Sequence, residues 1–248
     1  MITRADPLDE RILIARRAAI NAIVKELVEH CRDGCLLGIG TGSTVTQFLE
    51  EISGRDEVKI LVKSSIVCSS IDTCIKLSRY GLMCLDPLAI MRNESIDIYI
   101  DSADEVDSRC FMIKGGGGAL LREKVLTELA RVKLFMIDYE KLSPLIGTKK
   151  SLPIEVIPVA YPLVAKRLRV LGIPFDLRMS SDKKGPVMTD NGNFLVDVHT
   201  GPMNNPEEID RNLKLIPGVA ETGLFYPTHV SKIIVGYHDG SIKELYPK

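Results

Sequence analysis

The amino-acid sequence predicts an α/β protein: a Rossmann-like, mostly parallel sheet with helices on both faces, plus a small α+β domain. Three observations support this fold class. Short runs rich in isoleucine and valine alternate with helical patterns up to about residue 138, which is typical of βαβ layering. Glycine-rich loops occur at 38–42, after the first predicted strand, and at 114–118, after a later strand and an acidic loop. Beyond about Gly147, prolines become frequent and the order of elements changes.

The first half of the chain is expected to alternate helices and strands. Apolar residues recur on one helical face over about 8–32, and Gly34 is a plausible helix stop. Further helices are expected near 44–52, 69–80 and 118–131, and strands near 35–39, 58–62, 82–85, 96–101 and 133–138. Ligands of such sheets bind beyond the carboxyl ends of the strands, so the Gly40 loop, Asp101 and Asp138 are expected to meet in one cleft.

The second half is expected to form a different sheet. Its predicted helices lie near 161–172 and 206–215, and its predicted strands near 173–178, 187–189, 193–198 and 219–225. This order fits the β-α-β-β-α-β arrangement of a small ferredoxin-like domain, whose sheet is antiparallel. The segment 189–192, Thr-Asp-Asn-Gly, is a turn signal within it.

Composition narrows the classes of function. With 248 residues, 45% of them hydrophobic, the chain can bury a sizeable core in one large and one small domain. A formal charge of −1 gives no basic surplus for nucleic acid, and no apolar run approaches the ~20 residues that cross a bilayer. The first ten residues lack the apolar core of a secretion signal. We therefore expect a cytoplasmic protein that binds neither nucleic acid nor membrane.

The six cysteines all lie in the first half of the chain. They have no CxxC spacing and no histidine nearby, so a zinc site is not expected. Reduced thiols in a cytosol are the simplest interpretation.

The first glycine loop has the features of a phosphate site. Residues 35–45 are expected to form a short apolar strand, then alternating glycines that include Gly40 and Gly42, then a helix. The hydroxyls of Thr41, Ser43 and Thr44 lie where backbone N–H groups of the helix start also point, which suits the phosphate of a small substrate. The loop lacks the full dinucleotide fingerprint and the lysine of a nucleoside-triphosphate loop, so a nucleotide is less favoured. A turn that needs glycine only for tight packing is the alternative.

The second glycine loop combines a cation, a carboxylate and exposed backbone. Four consecutive glycines, 115–118, are poor helix or strand formers, which suggests that a ligand approaches their backbone closely. Lys114 precedes them, and Glu123 follows on the helix that they open. Such a turn favours an anion or a developing oxyanion. The segment therefore fits an enzyme that moves a proton next to a carbonyl.

Three motifs in order resemble the type A ribose-5-phosphate isomerase family: GIGTGST at 38–44, DSADEVD at 101–107 and KGGGGALLREK at 114–124. The resemblance continues through the stretches at 138–141, 152–156, 189–193 and 216–219, so it covers nearly the whole chain. The family pattern has glycine where this chain has Ser102, and commonly alanine and threonine at Gly118 and Leu121. Neither departure removes a charged group.

The resemblance implies a role for each polar residue of these motifs. Glu123 would be the general base that moves a proton between C1 and C2 of the sugar, and Asp101, Asp104 and Lys114 would be the other catalytic residues. Lys114 would lie between the two aspartates and, with the glycine N–H groups, stabilise an enediolate oxygen. The substrate-binding residues would be Gly40, Thr41, Gly42, Ser43, Thr44, Gly115, Gly116, Gly117, Gly118 and Lys141.

Plainer explanations stay open for these residues. A glutamate in the first turn of a helix commonly compensates the helix dipole, and the Asp–Lys set could be a structural salt bridge. Lys141 could be an ordinary solvated lysine. Ser69 and Ser70 are weaker candidates for the phosphate site, Arg122 is expected to be structural, and His199 is expected to be an inward or interface residue without chemistry.

The family resemblance also implies the organisation of the protein. Residues 1–147 and 226–248 would form the catalytic domain, and 148–225 the ferredoxin-like domain. The expected activity is isomerisation of ribose 5-phosphate and ribulose 5-phosphate through a cis-enediolate, in the non-oxidative pentose phosphate pathway. The resemblance implies no metal or organic cofactor, and it suggests a homodimer or a dimer of dimers.

Related folds leave other functions as alternatives. Amino-sugar phosphate deaminases share this fold superfamily, as do acyl-coenzyme-A transferases that use a glutamate nucleophile and sugar-phosphate sensor domains. A sensor would normally carry a DNA-reading helix–turn–helix, and the short N-terminal segment is expected to leave no room for one.

Overall fold

The computed structural model describes residues 9–31, 34–56, 66–85 and 95–247. The helices in these ranges are α1 (Glu10–His30), α2 (Ser43–Ser53), α3 (Ile71–Arg79), α4 (Leu120–Leu129), α5 (Tyr161–Val170) and α6 (Pro206–Lys214). The strands are β1 (Leu37–Ile39), β2 (Ile66–Cys68), β3 (Cys84–Leu85), β4 (Ile96–Asp101), β5 (Glu105–Val106), β6 (Met112–Ile113), β7 (Ala130–Asp138), β8 (Leu152–Val156), β9 (Phe175–Leu177), β10 (Phe194–Val198), β11 (Val219–Thr222), β12 (Leu224–Phe225), β13 (Lys232–Gly236) and β14 (Ile242–Leu245).

The main sheet has the strand order β14-β13-β7-β4-β1-β2-β3. All neighbouring strands in it are parallel except β14, which pairs antiparallel with β13. From β1 the chain moves to β2 on one side, and it later returns to β4 on the other. This reversal makes the crevice between the carboxyl ends of β1 and β4 the expected place for a ligand.

Helices cover both faces of this sheet because its central strands are apolar on both sides. Ile98 and Ile100 of β4 point into a core that includes side chains of α1, α2 and α3. Tyr99, between them in sequence, points to the other face, where it shares a core with Phe135 and with Leu126 of α4. The alternation follows from the period of two in a strand. The structure thus has the α/β class that the sequence predicts.

A second sheet, with the order β11-β8-β10-β9, is antiparallel. With α5 and α6 its elements run β-α-β-β-α-β along the chain. A three-stranded sheet, β12-β6-β5, lies beside it, and its residues Ile113 and Leu224 belong to the same apolar core as β8 and α5. The segment that follows β4 and carries the polar motif residues therefore packs between the main sheet and the antiparallel sheet.

Several local expectations were wrong. The strand expected over 219–225 is broken at Gly223, because β11 pairs with β8 whereas β12 pairs with β6. Around 187–189 the structure has only isolated bridges, at Pro186 and Met188, instead of a strand. His199 is not inward, since it is largely exposed and paired with Asp176 at 2.8 Å. The strand expected near 58–62 lies outside the described residues.

The expectation of six reduced thiols was also wrong. The structure joins Cys31 to Cys35 and Cys74 to Cys84, and leaves Cys68 and Cys110 as buried free cysteines. Within the described ranges, no helix is both long and apolar enough to cross a membrane.

Candidate active site

Asp101 occupies the carboxyl end of β4, next to the glycine loop that follows β1. Its side chain is fully buried, and a side chain at position 40 would overlap its carboxyl group. Glycine is therefore required at position 40 for the two strand ends to lie this close. The Tyr99 hydroxyl donates to Asp101 Oδ2 at 2.6 Å, and the Ser102 amide donates to Oδ1 at 2.7 Å. These bonds fix the orientation of the carboxylate.

Lys114 joins Asp101 to Glu123, and not Asp101 to Asp104 as expected, because Asp104 accepts a hydrogen bond from the Gly116 amide. Its ammonium lies 2.7 Å from Asp101 Oδ2 and 3.2 Å from Glu123 Oε2, and it donates to the Ser102 carbonyl oxygen at 2.6 Å. The side chain is 3% exposed. Burial alone would lower the pKa of Lys114, but Asp101 and Glu123 outweigh burial and raise it. The ammonium is therefore retained as a fixed positive charge.

The Glu123 carboxylate lies near a charged partner, but one of its oxygen atoms accepts no hydrogen bond from the described residues. Its Oε2 atom is buried and has no hydrogen-bond partner among the described residues, since the Lys114 ammonium lies outside hydrogen-bond geometry. Burial raises the pKa of the Glu123 carboxyl, Lys114 opposes this, and Asp101 and Asp104 add to the increase. A buried acceptor without a hydrogen bond is unfavourable in a folded protein. It is, however, suited to accept a proton from a molecule in the cavity.

The four-glycine turn is held from both sides. Gly115 has φ 108°, a conformation that disfavours other residues, and the Gly116 amide donates to Asp104 Oδ2 at 2.8 Å. From the second sheet, Arg178 donates to the carbonyl oxygens of Gly115 and Gly116 at 2.9 and 3.1 Å. Asp197 fixes this guanidinium through both carboxylate oxygens. Sequence reasoning missed Arg178, because nothing near it in the chain indicates a distant partner.

Thr44, Ser102 and Lys141 meet at the other end of the site. Lys141 follows β7, in the short helical turn Tyr139–Lys141, and donates to Ser102 Oγ at 2.9 Å and Thr44 Oγ1 at 3.3 Å. Burial lowers the pKa of Lys141 to about 8. Ser43, at the first residue of α2, is exposed. The N–H groups of this first turn lack intrahelical acceptors, so an anion would be favoured here.

Two further contacts stabilise that end. The Thr41 hydroxyl lies 2.7 Å from both Ser69 Oγ and Ser70 Oγ, so it fastens the first glycine loop to the start of α3. Arg16 of α1 donates to Asp138 Oδ2 at 2.9 Å and to Ser43 Oγ at 3.4 Å. The sequence patterns gave no reason to select Arg16, because it lies on a helix 122 residues before Asp138 in the chain.

The two ends face one cavity. An inner space of about 60 Å³ is lined by Thr41–Thr44, Ser102–Asp104, Lys114, Gly115, Gly117, Glu123 and Lys141. It adjoins an outer cleft of about 610 Å³ through shared residues of both glycine loops, Thr41, Gly42, Ser43 and Gly117. One space is thus lined by the carboxylates of Asp104 and Glu123, both candidate ammonium groups and the candidate hydroxyls. Asp101, Gly40 and Gly116 do not line it, and Asp101 is connected to it through Lys114.

An aromatic side chain lies beside the Lys114 ammonium. Phe225 is fully buried, and its ring centroid lies 5.5 Å from the Lys114 ammonium and 5.0 Å from the Lys124 ammonium. Lys124 is itself paired with Glu221 at 2.9 Å. The ring contributes an apolar surface with a negative face, which favours a cation beside it. Sequence reasoning did not select Phe225, because a buried phenylalanine in a strand is usually a core residue.

Comparison with known proteins then decides the family. The family model of ribose 5-phosphate isomerase A (phosphoriboisomerase A) matches residues 65–240. The chain belongs to the ribose 5-phosphate isomerase A family. Ribose-5-phosphate isomerase A of Treponema pallidum is 34% identical over 247 residues, which cover 98% of this chain and 96% of that protein. The human ribose-5-phosphate isomerase is 36% identical over 239 residues, 94% of this chain and 72% of the human protein.

Solved structures of ribose 5-phosphate isomerases have the same fold. That of ribose 5-phosphate isomerase A from Methanocaldococcus jannaschii superposes with a TM-score of 0.80 at 32% identity, covering 94% of this chain and 98% of the other. A D-ribose-5-phosphate isomerase in complex with phospho-erythronic acid gives 0.83 at 30% identity, covering 94% and 99%. The α/β class and the family suggested by the sequence motifs are thereby confirmed.

Proposed function

We propose that this protein interconverts D-ribose 5-phosphate and D-ribulose 5-phosphate. The observation that carries the proposal is the buried Glu123 Oε2 atom, which has no hydrogen-bond partner in the described part of the chain and lies 3.2 Å from the Lys114 ammonium. Membership of the isomerase family supports the choice of substrate. A related isomerase binds phospho-erythronic acid. Its acid group resembles an enediolate in being planar and negatively charged, so such a compound is expected to bind a site built for that intermediate.

Glu123 is the base in this proposal. It removes the proton from C2 of the ring-opened aldose, and the electrons of the C2–H bond form the C1–C2 double bond of a cis-enediolate. The former carbonyl oxygen on C1 then carries the negative charge. The protonated Glu123 returns the proton to C1, where the electrons of the C1–C2 double bond form the new C–H bond. The proton of the C2 hydroxyl passes to the negatively charged oxygen on C1, so that C1 carries a hydroxyl and C2 becomes the carbonyl of the ketose. A carboxyl whose pKa is raised binds the transferred proton well enough to carry it between the two carbons.

Lys114 and the glycine turn stabilise the enediolate in this scheme. The ammonium is buried and already oriented by Asp101, so it needs little rearrangement when charge develops on the substrate oxygen. Asp101 and Asp104 bind sugar hydroxyls, assist ring opening and move hydroxyl protons. Arg178 keeps the turn in place by holding the carbonyl oxygens of Gly115 and Gly116. No step requires a metal or an organic cofactor.

The phosphate binds at the opposite end of the cavity. Ser43 and Thr44 offer hydroxyls, the first turn of α2 offers N–H groups, and Lys141 offers a positive charge. Thr41, Gly40 and Gly42 shape the loop around the phosphate. Because the phosphate is remote from C1 and C2, its binding energy can position the reacting carbons over Glu123.

A direct assay with two glutamate variants tests the base. Glu123→Gln keeps the size of the side chain but removes the basic oxygen, so turnover of ribose 5-phosphate should fall by about 10²–10⁴-fold with little change in sugar-phosphate affinity. Glu207→Gln is the matched control, because Glu207 also lies in the first turn of a helix, α6, and is exposed. If Glu123 only compensated a helix dipole, the two variants would behave alike.

Product analysis in the same assay separates the alternative functions. A sensor domain would bind ribose 5-phosphate without forming ketose. An acyl transferase would form a covalent intermediate at Glu123 and show ping-pong kinetics. A deaminase would release ammonia from an amino-sugar phosphate and leave ribose 5-phosphate unchanged.

The remaining proposals concern organisation and location. Residues 1–147 and 226–248 form the catalytic domain, and 148–225 a ferredoxin-like domain, which is supported by the β11-β8-β10-β9 order of its sheet. The protein acts in the cytoplasm, in the non-oxidative pentose phosphate pathway, as a homodimer or a dimer of dimers. Size-exclusion chromatography with light scattering tests the oligomeric state.

A further inference from the structure

Three cysteines meet outside the proposed catalytic cavity. Cys68 ends β2, Cys74 lies in α3 and Cys84 begins β3. Their sulfur atoms all lie within 4.8 Å of one another. Cys68 is buried, and Cys74 and Cys84 are half-buried. The isomerase reaction proposed above uses none of these side chains.

The fold explains why these sulfur atoms meet. Strands β2 and β3 are parallel neighbours, with Ile66 opposite Cys84. Ile66 and Cys68 are two residues apart and so share a face of the sheet, and Cys84 lies on that face too. Helix α3 connects these strands and packs against both, and it brings Cys74 onto the same face. The convergence is therefore fixed by strand register, although sequence spacing alone resembles no zinc motif.

We propose that, in the reduced protein, Cys68, Cys74 and Cys84 bind one thiophilic divalent cation of the zinc class. Thiolates bound to zinc at ~2.3 Å in a tetrahedral arrangement lie about 3.8 Å from one another. The three sulfur atoms lie within 4.8 Å, so small side-chain movements bring them to this spacing. Three thiolates occupy three of the four tetrahedral positions, and water takes the fourth.

The surroundings of the cluster suit such an ion. A cavity of about 460 Å³, lined by Cys68, Cys74, Cys84, Ser70, Ser78 and Arg122 among others, gives access to it. A divalent ion with three thiolates carries a net charge of −1. The Arg122 guanidinium lies on the cavity wall, where it also contacts Asp190 at 3.8 Å, and its positive charge offsets part of that −1. An unpaired charge of this kind would otherwise be unfavourable in a partly buried place.

Binding of the cation depends on whether Cys74 and Cys84 are reduced. Cys74 and Cys84 form a disulfide in the structure, so the ion cannot bind until a dithiol or phosphine reductant supplies two electrons. Reduction breaks the S–S bond and yields two thiols. Binding of the cation then releases the protons of three thiols, those of Cys68, Cys74 and Cys84. A two-electron oxidant such as a small disulfide re-forms the Cys74–Cys84 bond, is itself reduced to two thiols, and releases the cation.

Cadmium is a direct probe because its thiolate bonds absorb in the ultraviolet. The full chain with Cys31→Ser and Cys35→Ser, which removes the other disulfide, is reduced, freed of reductant under argon and titrated with Cd²⁺. We expect about one ion per chain, with a charge-transfer intensity of three sulfur ligands. Cys68→Ser, Cys74→Ser and Cys84→Ser should each raise the Kd by more than about tenfold. Cys110→Ser is the control and should leave it unchanged, because Cys110 is a buried free cysteine outside the cluster.

Two results would overturn the proposal. One is failure of the reduced chain to bind Cd²⁺, which would leave the Cys74–Cys84 pair a structural disulfide. The other is an unchanged Kd for Cd²⁺ in Cys68→Ser, which would mean that Cys74 and Cys84 bind the ion without Cys68. Should a serine variant misfold by circular dichroism, X-ray absorption of the Zn²⁺-loaded, reduced protein with its three cysteines intact decides the question, since fewer than three sulfur ligands contradicts the site. None of these measurements depends on isomerase activity.

Discussion

The two ends of the cavity are built on different principles. At the proposed reacting end, Asp101, Lys114 and Glu123 are at most 3% exposed and make charge contacts mainly with one another. At the proposed phosphate end, Ser43 is exposed, burial lowers the pKa of Lys141, and the groups present are hydroxyls, N–H groups and the Lys141 ammonium. Burial shifts proton affinities at both ends, and the ends differ in their groups: charged side chains in contact with one another at the first, and hydrogen-bond donors for a charged group of the substrate at the second.

The arrangement of charges at the proposed reacting end also distinguishes its two buried carboxylates. Two buried carboxylates, Asp101 and Glu123, share the single Lys114 ammonium at the reacting end. Asp101 also accepts hydrogen bonds from Tyr99 and the Ser102 amide, whereas Glu123 Oε2 accepts none from the residues that the structure describes. Burial raises the pKa of the Glu123 carboxyl. We therefore expect Glu123 to be the group that exchanges protons with the substrate.

After Glu123→Gln, the largest effect is expected for Lys114→Met. The substitution removes the ammonium beside the developing enediolate oxygen, so turnover at saturating substrate should fall by about 10²–10³-fold. Inhibition by inorganic phosphate should be little changed, because Lys141 and α2 are intact. Turnover is measured with ribose 5-phosphate, and circular dichroism checks folding because an unpaired buried carboxylate destabilises the protein by about 3–5 kcal/mol. Loss of phosphate inhibition in this variant would place the phosphate in the 114–118 loop instead.

Thr44→Val tests the opposite end. It removes a hydroxyl within reach of Lys141 but leaves the reacting end intact. Binding of ribose 5-phosphate and of inorganic phosphate should weaken by similar free energies, on the order of 1–3 kcal/mol. Competition assays give both values, and kcat should be nearly unchanged. A variant with normal phosphate inhibition and reduced kcat would contradict this assignment.

The two ends of the cavity should affect the pH dependence of kcat/KM differently, one at low pH and the other at high pH. Burial raises the pKa of Glu123 to about 8, so the basic carboxylate, and with it kcat/KM, is lost as the pH falls through that range. Burial lowers the pKa of Lys141 to about 8, so its positive charge is lost as the pH rises through it. A plot of kcat/KM against pH should therefore have a maximum near pH 8, with a decline of up to tenfold per pH unit on each side.

The variant Lys141→Met tests whether Lys141 causes the decline of kcat/KM at high pH. This variant should lower the maximum and flatten the alkaline limb, while the acid limb of Glu123 stays. Lys183→Met, at an exposed loop position, is the control and should keep both limbs. An alkaline limb that persists in Lys141→Met would have to come from another group.

The smallest effect is expected for Phe225→Leu. Leucine keeps an apolar wall but removes the ring face that lies 5.5 Å from the Lys114 ammonium. Cation–π contacts contribute about 0.5–2 kcal/mol, so kcat should fall about two- to thirtyfold while KM is nearly unchanged. Phe111→Leu is the control, because its ring faces Arg109 at 4.9 Å, outside the cavity. Equal losses in both variants would indicate a general effect on folding.

Much of the main sheet could be predicted from local patterns. The strand expected over 96–101 and the helix expected over 118–131 correspond to β4 and α4, because long apolar alternation and glycine boundaries are local signals. The break at Gly223 could not be predicted. It depends on which neighbours pair with β11 and β12, and strand pairing is a long-range property.

Some residues of the candidate site could likewise be predicted from local sequence, and others could not. The motif residues could be selected because glycines and charged groups cluster in short segments at strand ends, and their catalytic roles remain predictions. Tyr99, Arg178 and Phe225 could not be selected, since each looks like an ordinary core or surface residue in its own segment. They reach the site from a strand interior and from the second half of the chain.

The sequence by itself determined the α/β class, the family and the segments that supply charge and backbone donors, because these depend on residue types and their order. Tertiary structure alone decided which charged groups contact one another, what holds the glycine turn and where three cysteines meet. The raised pKa of Glu123 arises from burial and from charges on other elements, so no local pattern contains it. Likewise Cys68 and Cys84 become neighbours only through the register of β2 with β3.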